Sequence, residues 1–485
     1  MTINPNIFKA YDIRGIYPHE INEEVAYRVG RAFVNFTNAQ VVVVGRDCRL
    51  SSNSLFESLK NGLLKEGVDV IDIGPCSSPV FYFAVGEYDL YDGGIMITAS
   101  HNPKEYNGLK LVRNNALPIG GVSGMEKIKE MVLKNVWKDK QQGNVVETEM
   151  LDAYVEKILS LVNLWTSEVK TNSNVKKSKK FKVVVDAGNG MGGLSLQMMS
   201  EVLKSDFNTQ IIPIYFEPDG NFPNHEANPT KPENLNDLRR EIIKQKADFG
   251  IALDGDGDRI AVVDEKGEVV RGDYLTAIFA KIILEKYKGA RILYDVRCSN
   301  IVPETIKELG GIPEMTPVGH ANIKKIMADG DAVFGGEFSN HFYFRDFYFA
   351  ESPDLCLLLL LQYLTSLHYE NKGGLTPSHP PYIRGDKRGL KMSEAILPLK
   401  KYFHSGEINF EVKDKEGIIK KIEKKYISNA KKVIRIDGLR LDFDGWWFNV
   451  RLSNTEPLLR LNLEAKSQEF MEAKKEELSN FIKNF

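Results

Sequence analysis

The feature that most limits the fold of this chain is a rhythm in which a short β-branched run is followed by a helical stretch and then by another such run. It begins with VVVVG at 41–45, followed by NSLFESLKNGLLKEG, and continues through VDVIDIG at 68–74 and GGIMITAS at 93–100. The rhythm restarts at FKVVVDAGNG (181–190), with further strands expected in IIPIYFEPDG (211–220) and ADFGIALDGDGDR (247–259). It restarts once more at ARILYDVRC (290–298) and DAVFGGEFS (331–339). Strands alternating with helices imply α/β units on mostly parallel sheets. Three similar α/β mixed-sheet domains in series are the simplest reading, expected at 1–150, 151–266 and 267–374.

A chain of 485 residues exceeds what one hydrophobic core serves, so several domains are required. Past residue 375 the character changes: GGLTPSHPPY breaks the pattern, and a lysine-rich α+β domain (375–485) follows, closed by the amphipathic helix SQEFMEAKKEELSNFIKNF. LDAYVEKILSLVNLW reads as a linking helix between the first two domains. KTNSNVKKSKKFK after it reads as a solvated loop.

Charge narrows the partners. Lys+Arg of 64 against Asp+Glu of 66 leaves a formal net charge of -2, which argues against nucleic acid or an anionic membrane as the partner. The four cysteines form no CxxC pair, which suggests neither a disulfide framework nor a zinc site. The N-terminal MTINPNIFKAYDIRG lacks an apolar signal core, and LCLLLLLQYLTSL (355–367) is too short to span a bilayer and reads as a buried helix. A cytoplasmic location is expected.

Four loops carry chemistry. Thr98-Ala99-Ser100-His101-Asn102-Pro103 follows an apolar strand, at the carboxyl end where open α/β sheets bind ligands. Taken alone it could be mere turn chemistry. Asp254-Gly255-Asp256-Gly257-Asp258-Arg259 places three carboxylates at alternate positions, a donor set for a hard cation such as Mg²⁺. An EF-hand is disfavoured, because Arg259 stands where that loop needs glycine and the flanks FGIAL and IAVVD read as strands. Gly336-Glu337-Phe338-Ser339-Asn340-His341 gathers a carboxylate, a hydroxyl and an imidazole that suit sugar hydroxyls and proton relay, though a polar surface turn explains it about as well. Arg451-Leu452-Ser453-Asn454-Thr455-Glu456-Pro457, with Arg460, sets guanidinium beside hydroxyl and amide donors, as phosphate binding requires; the bland alternative is a surface turn with an ion pair. One rival remains. Gly188-Asn189-Gly190-Met191-Gly192-Gly193 satisfies the dinucleotide-binding pattern after a strand, which keeps an NAD-dependent dehydrogenase as a distant alternative.

In order and spacing, the four loops resemble the active-site signatures of the α-D-phosphohexomutase superfamily, most closely phosphomannomutase/phosphoglucomutase, over essentially the whole chain. The resemblance implies four domains around a central cleft and a phosphoryl group moved between O1 and O6 of a hexose through phosphorylated Ser100. It implies Mg²⁺ on Asp254, Asp256 and Asp258 together with phosphorylated Ser100, and a hexose 1,6-bisphosphate as intermediate and activator. Arg14, His101, Lys110, Arg259 and His341 are the implied catalytic groups, Lys110 as general acid/base. Glu337 and Ser339 would hold sugar O3 and O4, with Tyr11, Arg297 and His320 beside them, while Arg451, Ser453, Asn454, Thr455 and Arg460 would grip the non-reacting phosphate. The implied partners are sugar phosphates, for a monomer or weak homodimer.

The sequence departs from the family at Phe338 and Asn340, where Met and Gly or Ala are usual, at Glu351-Ser352-Pro353, and at Arg297, where Lys is common. Asn454 and the absence of Gln at position 338 point to mannose and glucose phosphates, with phosphoglucosamine mutase as the alternative.

Overall fold

The computed structural model describes residues 3–165, 180–370, 391–453 and 458–484. Four sheets follow one another along the chain. The first orders its strands Ile13–Ile16, Tyr106–Arg113, Gly93–Ile97, Val41–Arg46, Asp69–Pro75, Val145–Glu147. Its centre is parallel, but the hairpin between Gly93–Ile97 and Tyr106–Arg113 makes one side antiparallel. The second and third sheets have the same mixed character: in each, a parallel core ends in antiparallel strands. The reading of three mixed-sheet α/β domains in series holds, with parallel pairing at the centre of each sheet and antiparallel pairing beside it. The hairpins return the chain across the sheet edge and place the chemical loops at their bends.

Why these segments form strands is visible in their burial. Gly93–Ile97 and Phe249–Leu253 are buried at every position, as sheets covered by helices on both faces demand. Helices begin where the sequence supplies caps: Asn22 accepts from the Val25 amide to open Glu23–Thr37, and Ser467 accepts from the Phe470 amide to open Gln468–Lys483. The apolar run at 355–367 lies in the helix Pro353–Glu370, with Leu355 to Leu361 fully buried. Among the described residues, no helix is long and apolar enough to cross a membrane. The linking helix is Leu151–Trp165. Most of the lysine-rich segment after it, and the breaker at 373–382, lie outside the described residues.

The first three domains share a continuous apolar core that runs from Val43 and Phe81 through Tyr154, Phe249 and Phe279 to Leu358, and Met392, Ala395, Ile396 and Leu399, which precede the fourth sheet, pack into it. The fourth, a five-stranded antiparallel sheet with helices Lys415–Tyr426 and Gln468–Lys483, has a core of its own built on Phe410, Phe448, Leu461 and Leu478. Its junction with the third domain is polar. Arg440 donates to the carbonyl of Val296 at 2.8 Å and to Asn300 Oδ1 at 2.9 Å, the Asn300 amide donates to Glu464 Oε1 at 3.0 Å, and the Val318 amide donates to Asp437 Oδ2 at 3.1 Å.

Candidate active site

Ser100 follows the strand Gly93–Ile97, and the Thr98 hydroxyl accepts its backbone amide at 2.8 Å. Its φ of 51° lies in the left-handed region, which turns the side chain out of the strand's line. Ser100 Oγ donates to Asp254 Oδ2 at 2.8 Å and sits 3.1 Å from His101 Nδ1. With that single hydroxyl proton given to Asp254, the His101 tautomer bearing Nδ1–H completes the contact. Burial, then Arg259 and Arg14, hold the His101 pKa well below its ordinary value, so the ring is neutral. Arg14 joins from the first strand, its Nη1 donating to Asn102 Oδ1 at 2.6 Å.

The Asp254–Asp258 loop is the bend of the hairpin between Phe249–Leu253 and Ile260–Asp264, which excludes a helix–loop–helix calcium site. Its ligand oxygens lie within 4.8 Å of one another, all three residues buried. Asp254 Oδ1 accepts from the amides of Asp258 (3.0 Å) and Arg259 (3.1 Å), which curls the loop. Gly255 is required by close approach: a Cβ there would stand 2.6 Å from the Ser100 carbonyl oxygen.

Charge in this cluster is incompletely balanced. Lys110 Nζ lies 2.6 Å from both Asp256 Oδ2 and Asp258 Oδ2, and the Ser78 hydroxyl donates to Asp256 Oδ2 at 2.7 Å. Burial, Asp258 and Asp256 push the Asp254 pKa well up, whereas for Asp258 the cost of burial is outweighed by Lys110 and His341, which hold its carboxyl ionised. Lys110 shows the reciprocal effect: burial disfavours its charge, and Asp256 and Asp258 more than reverse that. Asp256 Oδ1 and Asp258 Oδ1 are buried without a hydrogen-bond partner. Two such oxygens among three converging carboxylates, Asp258 Oδ1 meeting only long contacts to His341 (3.5 Å) and Arg259 (3.9 Å), fit a divalent cation.

The Glu337–His341 loop sits between strands Phe334–Gly336 and Phe342–Phe344. Glu337 Oε1 accepts the Gly319 amide at 2.7 Å, and its Oε2 faces Ser339 Oγ and His341 Nδ1, each at 2.9 Å. His341 Nε2 lies 3.0 Å from Arg259 Nε. That contact requires a bare Nε2, hence a ring with its proton on Nδ1 toward Glu337. Burial and Arg259 lower the His341 pKa, but Asp258, 3.5 Å from Nε2, and Glu337 outweigh them and raise it to about 9, which favours the doubly protonated ring over this tautomer at neutral pH. Arg297 forks onto Asp295 and reaches Ser339 Oγ at 3.2 Å. His320, at the start of helix His320–Gly330, is kept neutral by burial and Lys324, and its ring meets Tyr11 at 5.5 Å. Tyr11 Oη donates to the Val318 carbonyl at 2.9 Å.

The phosphate loop leaves strand Trp446–Leu452. Arg451 Nη2 and Arg460 Nη1 contact the two oxygens of Glu407, at 3.0 Å and 2.8 Å, and Arg297 Nη1 lies 3.6 Å away. Three guanidiniums converging on one carboxylate form a cationic pocket of phosphate character. The Ser453 amide donates to the Leu458 carbonyl at 2.9 Å; Asn454 and Thr455 lie outside the described residues.

The departures from the family pattern have local explanations. Asn340 has φ 68°, a conformation natural to glycine and tolerated by asparagine. Phe338 stacks on His404 of the fourth domain, centroids 4.8 Å apart. Glu351 forms a fully buried ion pair with Lys324 at 2.5 Å, Ser352 Oγ accepts the Leu355 amide, and Pro353 opens the long helix. The glycine-rich loop at 188–193 supports the metal loop: the Met191 amide donates to the Gly255 carbonyl at 3.0 Å, and a Cβ on Gly190 would sit 2.7 Å from that oxygen. With its glycines packed on another loop, it leaves no berth for a pyrophosphate. The sequence reading missed Arg49, Ser78, Glu407 and Lys324. Of these, only Arg49 had a local signal, in the GRDCRLS turn at 45–51.

Comparison with known proteins agrees with this geometry. The four domain signatures described as phosphoglucomutase/phosphomannomutase, alpha/beta/alpha domains I, II and III and C-terminal domain, match residues 5–139, 152–267, 271–373 and 407–480. A phosphomannomutase of Vibrio cholerae is 39% identical over 485 residues, covering 98% of each chain. One from Methanocaldococcus jannaschii is 40% identical over 477 residues, covering 98% of this chain and 97% of its own. The crystal structure of a phosphoglucomutase/phosphomannomutase family protein from Burkholderia thailandensis superposes with TM-score 0.83 at 31% identity, covering 99% of this chain and 98% of that one. From its first strand to its last sheet, the chain belongs to the phosphoglucomutase/phosphomannomutase family of phosphohexomutases.

Proposed function

We propose that the protein interconverts hexose 1-phosphate and hexose 6-phosphate, of mannose and glucose alike, with Ser100 as phosphoryl carrier. The observation that carries this reading is Ser100 Oγ at 2.8 Å from Asp254 Oδ2, joining the hydroxyl at the end of a first-domain strand to three carboxylates of the second domain. Phosphorylated Ser100 gives its phosphoryl group to O6 of a hexose 1-phosphate; the P–O bond to serine breaks as that to the sugar forms. The resulting 1,6-bisphosphate turns over, returns its 1-phosphate to Ser100, and leaves as hexose 6-phosphate. A free hexose 1,6-bisphosphate would prime serine that has lost its phosphate.

Phosphoryl transfer asks a protein mainly for alignment and positive charge. Mg²⁺ held by Asp254, Asp256 and Asp258 with an oxygen of phosphoserine would neutralise charge on the transferring group. Arg259 and Arg14 face the same region, and Lys110, held as a cation by Asp256 and Asp258, is the general acid/base that the resemblance implies. Glu337 and Ser339 accept and donate to O3 and O4, positions that mannose and glucose share, while Arg297, His320, Tyr11 and His341 frame them. Arg451, Ser453, Asn454, Thr455 and Arg460 take the distal phosphate, with Glu407 ceding the guanidiniums it occupies.

The test is a coupled assay with mannose 1-phosphate, glucose 1-phosphate and glucosamine 1-phosphate, run with Mg²⁺ and a bisphosphate activator. Turnover of the first two within roughly two orders of magnitude in kcat/KM is expected, because a single polar contact at C2 is worth only about 1–3 kcal/mol. A clear preference for glucosamine 1-phosphate would move the assignment to phosphoglucosamine mutase. Intact-mass spectra should find phosphate on Ser100 and none on Ser100→Ala, whose activity should fall by several orders of magnitude.

A further inference from the structure

Arg49 lies outside the four loops, yet its guanidinium underlies the whole length of the Ser100 loop. Nη2 donates to the carbonyls of Ser100 (2.9 Å) and Asn102 (2.6 Å), and Nη1 to those of Pro103 (2.6 Å) and Tyr106 (2.9 Å). Nε donates to Asp47 Oδ2 at 3.1 Å. Five N–H groups thus meet five acceptors, in a side chain with 0% exposure. Only a guanidinium offers five donors in one rigid plane; an ammonium has three and no fork.

The clamp is itself fixed. Asp47 accepts from Ser52 Oγ at 2.7 Å and from the Arg49 amide at 3.0 Å, and its own amide donates to the carbonyl of Ile97, the last residue of the strand that leads to Ser100. Phe222, from the second domain, covers the guanidinium at 5.2 Å. Ser100 needs such support. A non-glycine residue at φ 51° carries strain of order 1–3 kcal/mol and keeps that conformation only where its surroundings impose it. The Ser100 carbonyl is held on one side by Arg49, and on the other it faces Gly255, which leaves Oγ aimed at Asp254.

We infer that Arg49 is a positioning residue for phosphoryl transfer: it holds the Ser100 loop by its carbonyls so that Oγ and the phosphate it carries stay in line with the metal loop. The inference rests on Ser100 being the phosphoryl carrier. A generic structural arginine would contribute to folding alone; a positioning one contributes to the rate of the chemical step.

The experiment compares wild type, Arg49→Lys and Arg49→Met. The readouts are kcat, KM, melting temperature and the rate at which Ser100 takes phosphate from glucose 1,6-bisphosphate, followed by intact mass in quenched samples. In both variants kcat and the labelling rate should fall about 100-fold, the cost of a displacement near 1 Å at a reacting atom. KM should stay within about twofold, because the sugar and phosphate contacts are untouched, and Arg49→Lys should recover at most a small part of the loss. If wild-type Ser100 takes no phosphate, the carrier reading itself falls. If wild type is labelled and Arg49→Lys matches its rate, or the loss appears only in KM, the positioning role is overturned. Should neither variant fold, or should kcat fall only in step with melting temperature, Arg49 has a folding role and the inference fails.

Discussion

Replacing Lys110 by methionine tests whether the aspartate cluster is built for a cation. Nζ makes two contacts of 2.6 Å with Asp256 and Asp258, in a pocket where those residues are at most 5% exposed. Removing one partner from a buried ion pair leaves uncompensated charge, at a cost of about 3–5 kcal/mol. For a domain of this size each kcal/mol moves the melting temperature by about 2–4 °C, so a drop on the order of 6–20 °C is expected in chelator. A divalent cation supplies the missing positive charge and binds only the folded site, so it should stabilise the variant more than wild type. The assay is a thermal melt of both proteins in chelator and in Mg²⁺ at several concentrations, with each transition followed separately because a four-domain chain need not unfold in one step. A Mg²⁺-induced shift no larger in Lys110→Met than in wild type would refute the reasoning, whatever becomes of activity. Turnover should be lost in either case.

Three further outcomes are expected. Asp256→Asn exchanges a charged oxygen ligand for a neutral one and should raise the Mg²⁺ concentration needed for half-maximal rate while lowering kcat, checked by metal titration. Phe338→Ala removes the stack on His404 between the third and fourth domains; aromatic pairs contribute about 0.5–1.5 kcal/mol, so KM for sugar phosphate should rise by roughly 2- to 12-fold. Asp354 is buried and accepts from Tyr154 Oη and Ser195 Oγ, and burial raises its pKa to about 6. The folded state therefore holds the proton more tightly than the unfolded chain. Stability from this group is full below the ordinary value of 3.8 and is lost as pH rises through about 6, a difference of roughly 3 kcal/mol. Asp354→Asn, neutral throughout, should gain on wild type by that amount between acid and alkaline melts; a constant difference across pH would contradict the account.

Much of this site could be read from the chain because its chemistry is local. Asp254, Asp256 and Asp258 converge within one turn, and Ser100 follows a strand whose five buried residues announce it. What escaped the sequence reading is what arises between distant segments. Glu407 reaches Arg451 across 44 positions, Lys324 finds Glu351 within the third domain, and Tyr154 and Ser195 of the second domain meet Asp354 of the third. No spacing rule links such residues, because the fold alone sets their separation. The glycine-rich stretch at 188–193 misleads for the complementary reason: a tight approach to another backbone asks for the same glycines as an approach to a pyrophosphate.

The separate core of the fourth domain bears on how a sugar could be turned over without leaving the enzyme. Because that domain buries its own apolar residues, swinging it away from the third breaks mainly polar contacts, those of Arg440, Asn300 and Val318 and the Arg297–Glu407 pair among them, and one aromatic stack, and water can replace each polar partner. Had the two domains shared a core, as the first three do, the same motion would expose hydrocarbon at about 25 cal/mol for every Å². Arg451, Arg460 and Glu407 thus ride on a body that can pivot cheaply, while Arg297, Ser100, the aspartates and the Glu337–His341 loop stay with the other three domains. A bisphosphate formed as proposed would gain room to rotate from a domain whose departure water can compensate.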